Sequence, residues 1–314
     1  MAPDAPLRTK VIINPQAGSG QTGERWPSIQ SALQQAIGAF DTSWTSAPGE
    51  AISMTRAALR DAYERIVAVG GDGTLNECIN GFLADDRPVR PQSVLAYVAS
   101  GTGEDFRRTL EISHSPHRAA TALSDHRMRE IDVGKATYQT MNGATESRYF
   151  VNMATLGLGG AVVRALPSAR PTWLGSGTLS YLVAILRTLM SHSNQRLTIH
   201  VDDERLQTAS CHVSIANGRF LAGGIPFAPD ASTNDGQFDV VVLGDFSRLG
   251  LLCRAHRFYA GTHDELDAVD LLKGQSIRVT SSAASPFYLE ADGELLGRLP
   301  ATFEILPRTL RLQY

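Results

Sequence analysis

An aspartate enclosed by glycines is the strongest chemical feature of this sequence. Asp72 lies in segment 70–74, Gly-Gly-Asp-Gly-Thr, after the apolar run 65–69 and before residues 75–82, whose apolar positions have helical spacing. Glycines let a ligand approach bare backbone, and free N–H groups with the helix dipole make a helix N-terminus an anion site. A carboxylate there needs a partner, such as a magnesium ion or a donated hydroxyl proton. The segment predicts a phosphate site; a tight turn with a capping aspartate is the alternative.

Two further glycine-rich loops follow predicted strands. Segment 14–20 follows strand 10–13, and segment 100–103 follows strand 94–98. Repeated alternation of strands and helices predicts a parallel sheet with helices on both faces, and ligands of such sheets bind at the carboxyl ends of the strands. The three loops together predict one phosphate pocket, although each alone is also typical of a plain strand-to-helix turn. Neither a Walker A loop nor a Rossmann glycine fingerprint is present.

Segment 70–77, Gly-Gly-Asp-Gly-Thr-Leu-Asn-Glu, resembles the signature loop of the diacylglycerol kinase catalytic-domain family. That family includes bacterial soluble lipid kinases, sphingosine kinases and ceramide kinases, and the more distant NAD kinases share the Gly-Gly-Asp-Gly core. Further family motifs occur in the same order from Asn14 to Arg308, including an Asn-Pro-x-x-Gly loop, Pro-x-Ala at 229–231 and Asp-Gly-Glu at 292–294. This coverage favours the lipid-kinase branch over NAD kinase.

The sequence departs from the family pattern after the loop at 100–103. The family has Gly-Thr-x-Asn-Asp-Phe-Ala-Arg, whereas this chain has Glu104 in place of Asn and Arg107 in place of a small residue. Glu104 cannot donate an amide hydrogen to a nucleotide, and its charge could alter metal binding. Asp105 and Arg108 match the pattern; on a helix they are three residues apart, so an ordinary surface ion pair is the alternative role for both.

The resemblance implies roles for particular residues. Glu294 is the candidate general base for the acceptor hydroxyl, and Asp72 is its rival as well as a candidate ligand of magnesium carried by ATP. Asp105 and Asp132 are expected in the acidic network around the site, and Asp235 at a structural magnesium ion. A solvated strand residue is the alternative for Asp132, and a hairpin turn for Asp235. The expected nucleotide contacts are Asn14, Pro15, Gly18, Gly70, Gly71, Gly73, Thr74, Ser100, Gly101 and Thr102.

The second half of the chain has a different pattern. Short runs of β type separated by polar turns dominate from residue 149 onward and predict a mainly antiparallel β domain. Two helical segments interrupt them, at 177–190 and 247–258. We therefore expect an α/β nucleotide-binding domain over 1–133 and a β-rich acceptor-binding domain over 134–314, with the active site between them.

Composition limits the partners and the compartment. The net charge of −3 gives no bulk attraction to nucleic acid, and three distant cysteines without a Cys-x-x-Cys favour a reducing cytoplasm. The N-terminus lacks a signal-peptide core, and the longest apolar stretch, 179–190, is too short to span a bilayer. Contact with a membrane would then be peripheral. Candidates for an apolar lining are Trp173, Leu174, Leu179, Tyr181, Leu182 and Leu186, and for a basic face Arg164, Arg170, Arg187, Arg254 and Arg257, with core packing and scattered surface charge as the alternatives.

These observations predict an ATP- and Mg²⁺-dependent lipid kinase that transfers the γ-phosphoryl group to a lipid hydroxyl. The acceptor stays open among diacylglycerol, ceramide, a sphingoid base, monoacylglycerol and phosphatidylglycerol. The alternatives are an NAD-kinase-like phosphotransferase with a soluble acceptor and a catalytically silent nucleotide- or lipid-binding protein. The oligomeric state is also open, with a homodimer as one arrangement.

Overall fold

The structure, a computed structural model, describes residues 7–165, 187–190 and 193–314. All six candidates for the apolar lining fall outside these residues. Of the predicted helix 177–190, only residues 187–190 are described, and they are helical. Among the described residues, no helix combines the length and the apolar character needed to cross a membrane.

The first half alternates strands with helices. Its strands are β1 (Thr9–Ile13), β2 (Asp41–Trp44), β3 (Arg65–Gly70), the short β4 (Leu83–Ala84) and β5 (Arg87–Pro88), and β6 (Val94–Ala99). Its helices are α1 (Gln21–Ile37), α2 (Glu50–Arg60), α3 (Asp72–Phe82), α4 (Asp105–Thr109) and α5 (Pro116–Ala122).

Four of these strands form a parallel sheet in the order β2-β1-β3-β6. Every residue of β3 and β6 is buried, so both faces of the sheet are covered. This explains why their sequences are continuous apolar runs rather than alternating patterns. The glycine-rich loops after β1, β3 and β6 consequently leave the same edge of the sheet.

The second half is built from antiparallel strands. They are β7 (Met128–Gln139), β8 (Thr145–Phe150), β9 (Met153–Gly157), β10 (Gln195–Val201), β11 (Glu204–Ser210), β12 (His212–Ala216), β13 (Phe220–Leu221), β14 (Ile225–Pro226), β15 (Phe238–Leu243), β16 (Val269–Gly274), β17 (Ser276–Ser281), β18 (Tyr288–Ala291) and β19 (Glu294–Gln313). Helices α6 (Leu158–Ala165) and α7 (Arg248–Ala260) accompany them.

Two layers of these strands enclose a second hydrophobic core. One layer contains β16-β15-β12-β9-β18, and the other contains β10, β11, β17, β7 and β8, with β19 joining the two. Phe150 stacks on Phe238 at 5.7 Å between ring centroids and meets Phe303 edge-on at 6.3 Å. The predicted fold class, an α/β half followed by a mainly antiparallel β half, is confirmed.

Strand β19 connects the two halves. It pairs with β17 and β18 in the β-rich half, and Leu312 and Gln313 add in parallel to β6 of the first sheet. The apolar run of β type covers only 301–306, between Pro300 and Pro307, whereas the strand extends from Glu294 to Gln313. Both prolines lie at the two irregularities in the pairing with β7, where a missing N–H is tolerated. The division at 133/134 stays a prediction; β7 runs through it without interruption.

We expect the shared strand to be a main determinant of stability. Leu312 is wholly buried in the hydrophobic core of the α/β half, so Leu312→Ala should lower the free energy of unfolding by about 2–5 kcal/mol. Leu295 lies on the same strand but is exposed, and Leu295→Ala should change it by less than about 1 kcal/mol. Urea unfolding of both variants tests this, and equal losses would contradict it.

Candidate active site between the two halves

The three glycine-rich loops are tied together by short hydrogen bonds. The Asn14 Nδ2 donates to Thr74 Oγ1 at 3.0 Å, which joins the first loop to the second. The Thr22 hydroxyl donates to the Ser100 carbonyl oxygen at 2.8 Å, which joins the start of α1 to the third loop. The Ser100 N–H donates to the Gly70 carbonyl oxygen at 2.7 Å, which joins the third loop to the second. The predicted convergence of the loops is what the structure shows.

The second and third loops cross at two glycines. A Cβ atom placed on Gly101 would lie 2.6 Å from the Gly71 Cα, and one placed on Gly70 would lie 2.5 Å from Thr74 Oγ1. Real Cβ atoms do not approach so closely, so these positions require glycine for the close approach itself rather than for a positive φ. The crossing fixes how far apart the two loops stand.

A cavity of about 620 Å³ lies over the loops. Among the described residues, none of those forming its walls is a lysine or arginine; the walls are polar and glycine-rich. An anion there would be held by backbone N–H groups and by the N-terminus of α3. Of the predicted nucleotide contacts, Asn14, Gly18, Gly71, Gly73, Thr74, Gly101 and Thr102 line it, whereas Pro15, Gly70 and Ser100 do not.

A second cavity, of about 510 Å³, adjoins the first. The two share Gly71, Gly73, Thr102 and Gly103 as a common wall. The second cavity lies between the two halves of the chain and combines acidic with apolar side chains. Its carboxylates are Asp72, Asp105, Glu290 and Asp292, and its apolar side chains are Leu75, Phe106, Val151, Met153, Val163 and Leu221.

Asp72 is the first residue of α3 and lies beside the common wall. Its Oδ2 accepts the Asp105 N–H at 2.8 Å and its Oδ1 accepts the Tyr97 hydroxyl at 3.3 Å. The pKa of its carboxyl is raised from 3.8 to about 7, mainly by burial, with a smaller contribution from the charges of Asp105 and Asp292. Asp72 can therefore exchange a proton near neutral pH, which suits a general base.

Asp105 faces the β-rich half. Its Oδ2 accepts the Gly223 N–H at 2.9 Å, and burial raises the pKa of its carboxyl. Its Oδ1 is buried and has no hydrogen-bond partner among the described residues. The alternative role, a surface ion pair with Arg108, is not formed within the described part of the chain. An orphaned carboxylate oxygen on a cavity wall is an available ligand for a hard cation.

Asp292 belongs to the site although the sequence did not single it out. It adopts a left-handed φ of 47° and accepts four hydrogen bonds of 2.9–3.1 Å, from the N–H groups of residues 151–153 and from the Asn76 amide. Burial raises the pKa of its carboxyl. Asp292 thus joins α3 to the β-rich half. The sequence signal for Asp292 is its place in the Asp-Gly-Glu motif, in which only Glu294 was predicted to act in the site.

Glu290 is a second carboxylate that sequence reasoning missed. Its Oε1 accepts the Thr155 hydroxyl at 2.6 Å and its Oε2 accepts the Gly293 N–H at 2.9 Å. Burial raises the pKa of this carboxyl to about 7. The sequence signal for Glu290 is its place inside an apolar strand, two residues before Asp292. A glutamate on the protein surface would not be expected between apolar neighbours.

Glu294, the predicted base, is held differently. Its Oε2 accepts a hydrogen bond from Arg148 at 2.7 Å in a partly exposed ion pair. Burial nevertheless raises the pKa of its carboxyl, and the charges of Glu77 and Asp292 act in the same direction. Glu294 is therefore within electrostatic range of the site but is not on the wall of either cavity.

Asp132 and Asp235 lie at a separate loop junction. The Asp132 carboxylate accepts the N–H groups of Gly236 and Arg308, each at 2.7 Å, and burial raises its pKa. The structure thus corrects the expected place of Asp132: its side chain fastens loop 233–236 to β19 instead of lining the cavity. Asp235 is exposed and accepts the Gln237 N–H, as in a turn; its role at a structural metal stays a prediction.

The unusual pair Glu104 and Arg107 forms a compensated unit. Glu104 has a φ of 54°, and its buried carboxylate accepts the Gly101 N–H at 3.0 Å. The same carboxylate accepts a hydrogen bond from the Arg107 Nε at 2.7 Å. It also lies 2.8 Å from the His114 Nδ1. The two departures from the family pattern therefore neutralise each other, and Glu104 holds the third loop rather than facing a nucleotide.

The residues on the cavity walls fit a hydrated divalent cation. Asp72 and Asp105 lie on the wall, and their carboxylates would offer the oxygen ligands that magnesium prefers. Within the described residues, no three acidic, histidine or cysteine side chains converge as a metal site. A magnesium ion would therefore need phosphate oxygens as additional ligands, as expected if it arrives with a nucleotide.

Comparison with known proteins places the chain in a family. The model of the diacylglycerol kinase catalytic domain matches residues 8–136, and that of the YegS C-terminal NAD kinase beta sandwich-like domain matches residues 153–314. A diacylglycerol kinase of Staphylococcus saprophyticus is 30% identical over 301 residues, which cover 94% of this chain and 92% of that protein.

Solved structures agree with this. A provisionally named diacylglycerol kinase of Bacillus anthracis superposes with a TM-score of 0.78 at 25% identity, covering 100% of this chain and 97% of that one. Yeast NADH kinase shares the fold alone, with a TM-score of 0.52 at 12% identity, covering 98% and 83%. By both family models and by its relatives, this chain belongs to the diacylglycerol kinase family of phosphotransferases.

Proposed function

We propose that the chain is an ATP-dependent lipid kinase that transfers the γ-phosphoryl group to a lipid hydroxyl, with diacylglycerol as the first acceptor to test. The observation that carries this proposal is the common wall of the two cavities at Gly71, Gly73, Thr102 and Gly103. A donor in the glycine-rich cavity and an acceptor in the acidic and apolar cavity would meet there. The relatives named diacylglycerol kinase support the choice of acceptor.

The nucleotide would occupy the cavity over the three loops. Its phosphate oxygens would accept hydrogen bonds from backbone N–H groups of segments 70–74 and 100–103. The dipole of α3 would favour the negative charge of the phosphates. Since no lysine or arginine lines this cavity within the described residues, these contacts leave much of the charge of a triphosphate unbalanced. Magnesium, when bound, supplies the missing positive charge at the phosphates.

The acceptor would occupy the cavity between the halves. Phe106, Met153 and Leu221 give its walls the apolar character that an acyl-bearing molecule requires, while the carboxylates lie beside the common wall. A lipid would thus place its hydroxyl at the polar end and its chains along the apolar walls. A soluble, highly charged acceptor would instead meet acidic and apolar groups without a basic partner among the described wall residues.

Asp72 is the best placed group to receive the hydroxyl proton. Its pKa of about 7 gives a substantial ionised fraction at neutral pH and still allows it to hold a proton after transfer. Asp105 would hold the cation with its unpartnered oxygen, and Asp292 would position α3 against residues 151–153. Glu294 remains the rival base, and in that role it would have to act beside Arg148 or leave it.

The proposal is tested with purified protein, γ-labelled ATP and Mg²⁺. Mixed micelles that each carry one of diacylglycerol, ceramide, sphingosine, monoacylglycerol or phosphatidylglycerol are compared with soluble NAD. Label in one lipid, absent for Asp72→Ala, is the expected result. Label in NAD alone would overturn the proposal in favour of a soluble acceptor, and ATP binding without labelled product would overturn it in favour of a silent binder.

Asp72→Asn should raise the stability of the fold by an amount that depends on pH, and it should lower the kinase activity. Because the folded-state pKa (about 7) is above the ordinary value of 3.8, ionising Asp72 destabilises the fold increasingly across that interval, and the penalty is constant above it. The variant removes this penalty, so it should be more stable than the parent by roughly 2–4 kcal/mol above pH 7 and equal to it below pH 4. Its phosphoryl transfer should fall at least about 100-fold.

Urea unfolding at a series of pH values measures the stability gap, and the kinase assay measures the activity. Glu294→Gln is the matched comparison. If Asp72 is the base, the parent's rate should rise with pH through about 7, and Glu294→Gln should keep that profile. Retained activity in Asp72→Asn, with loss in Glu294→Gln, would assign the base to Glu294.

The loop crossing predicts a specific binding defect. Gly101→Ala would drive a methyl group into the Gly71 backbone and separate the loops, so the Kd for Mg²⁺–ATP should rise at least about tenfold. Gly23→Ala is the control, because its added methyl group would meet Pro15 no closer than 3.4 Å. Isothermal titration measures the Kd for Mg²⁺–ATP of both variants. Equal affinities would show that the loop crossing does not determine nucleotide binding.

The compensated pair predicts a double-mutant result. Arg107→Ala removes the ion-pair partner of the buried Glu104 carboxylate, which keeps only the Gly101 N–H and the His114 ring, and should lower the free energy of unfolding by about 3–5 kcal/mol. The double variant Glu104→Asn with Arg107→Ala restores the usual family residues and should recover most of that loss. Arg118→Ala, at an exposed arginine, is the control. A double variant less stable than Arg107→Ala would refute the compensation.

A further inference from the structure

Tyr97 is the largest wholly buried side chain among the described residues, and it carries a hydroxyl into the core of the α/β half. It lies in β6, where it pairs in register with Ala68 of β3, so a small side chain lies beside the ring. A phenylalanine would fill the same space. A buried hydroxyl costs free energy unless it forms a hydrogen bond, so its partner decides what it contributes.

The Tyr97 hydroxyl is bonded to the candidate base. It donates to Asp72 Oδ1 at 3.3 Å, and among the described residues it has no other hydrogen bond. Burial and the charges of Asp72 and Glu104 raise the pKa of the hydroxyl well above its ordinary value, so it stays a donor. Both Glu104 oxygens already accept hydrogen bonds, from the Gly101 N–H and from the Arg107 Nε, which leaves Asp72 as the acceptor.

The Asp72 carboxylate is held at both oxygens by donors from different elements. The Tyr97 hydroxyl of β6 binds Oδ1, and the N–H of Asp105, the first residue of α4, binds Oδ2 at 2.8 Å. Rotation about the Cβ–Cγ bond of an aspartate is soft, so one donor alone would leave the plane of the carboxylate free to turn. Two donors fix the plane, and each oxygen keeps a lone pair for an acceptor hydroxyl at the cavity wall.

We propose that Tyr97 is a positioning residue, whose hydroxyl fixes the Asp72 carboxylate in the orientation that takes the proton of the acceptor hydroxyl. The inference rests on the proposed function, in which Asp72 is the base. As the acceptor oxygen bonds to the γ-phosphorus and the bond to the leaving ADP breaks, the acceptor proton passes to Asp72, while Tyr97 keeps its own proton.

Tyr97 acts through Asp72 rather than on the substrates. It is not on the wall of either cavity, so it would touch neither nucleotide nor lipid. An interaction that only orients the base is used in the transfer step and not in binding. Removing the hydroxyl should therefore slow phosphoryl transfer without weakening the binding of either substrate.

Tyr97→Phe tests this role, because it removes the hydroxyl and keeps the ring that fills the core. The assay uses γ-labelled ATP, Mg²⁺ and micelles of the lipid that wild type phosphorylates. The kcat should fall at least about fivefold, while the KM values for ATP and for the lipid change less than about twofold. In Asp72→Asn, which has no base to position, adding Tyr97→Phe should leave the residual rate unchanged.

Tyr63→Phe is the matched control. The Tyr63 side chain is also buried, and its hydroxyl also donates to an aspartate, Asp41 Oδ2, at 2.6 Å. Neither Tyr63 nor Asp41 lines either cavity of the site. This variant loses the same kind of hydrogen bond and should keep the wild-type kcat. Urea unfolding of both tyrosine variants measures what each hydroxyl contributes to stability, separately from its effect on the rate.

The kinetic outcomes are distinct. A fall in kcat in Tyr97→Phe that is absent in the Asp72→Asn background supports the positioning role. Wild-type kcat in Tyr97→Phe overturns it. An equal fall in the Asp72→Asn background overturns it in favour of a general effect on the fold. A raised KM for ATP with unchanged kcat overturns it in favour of a role in binding.

Crystal structures of wild type and Tyr97→Phe test the positioning without any activity. The plane of the Asp72 carboxylate should turn in the variant, with the Asp105 N–H still bonded to Oδ2. The same carboxylate orientation in both structures would overturn the proposal. A wild type that labels no lipid would instead contradict the proposed function, and the two crystal structures would still decide whether Tyr97 fixes the carboxylate.

Discussion

The contact between the Gly71 and Gly101 backbones is the constraint on which the rest of the site depends. Two loops from neighbouring parallel strands can approach this closely because Gly101 has no side chain, whose Cβ atom would lie 2.6 Å from the Gly71 Cα. Their separation determines where the cavity over the loops ends and the cavity between the two halves begins. Hydrogen bonds from Asn14 and Thr22 then fix the loops relative to one another and to α1.

The electrostatics of the site follow from the charged and polar groups that line the two cavities. Four carboxylates gather on one wall, and burial raises the pKa of each. Backbone N–H groups satisfy many of their oxygens, so the ionised forms are held by fixed dipoles rather than by cationic side chains. Such a wall is unfavourable for a bare phosphate and favourable for a phosphate that arrives with a divalent cation.

The features that local sequence determines were predicted well. The α/β half, the antiparallel half and the three loops depend on apolar runs and glycines that are adjacent in the chain. Glu290 and Asp292 were missed because their partners lie about 140 residues away, across β9 and β18. Asp132 was expected near the site because it resembles a motif residue, whereas tertiary contacts with Gly236 and Arg308 use its carboxylate elsewhere. The role of Glu104 depends on its buried ion pair with Arg107, which forms only in the folded loop.

The central claim is that donor and acceptor meet at the common wall beside Asp72. A crystal structure with Mg²⁺ and a non-hydrolysable ATP analogue tests it most directly. We expect a γ-phosphate at Gly71, Gly73 and Thr102, beside the Asp72 carboxyl, with the Asp105 carboxylate holding the cation. A triphosphate whose γ-phosphate points away from this wall, toward Thr45 and Ser46 at the far side of the nucleotide cavity, would contradict it.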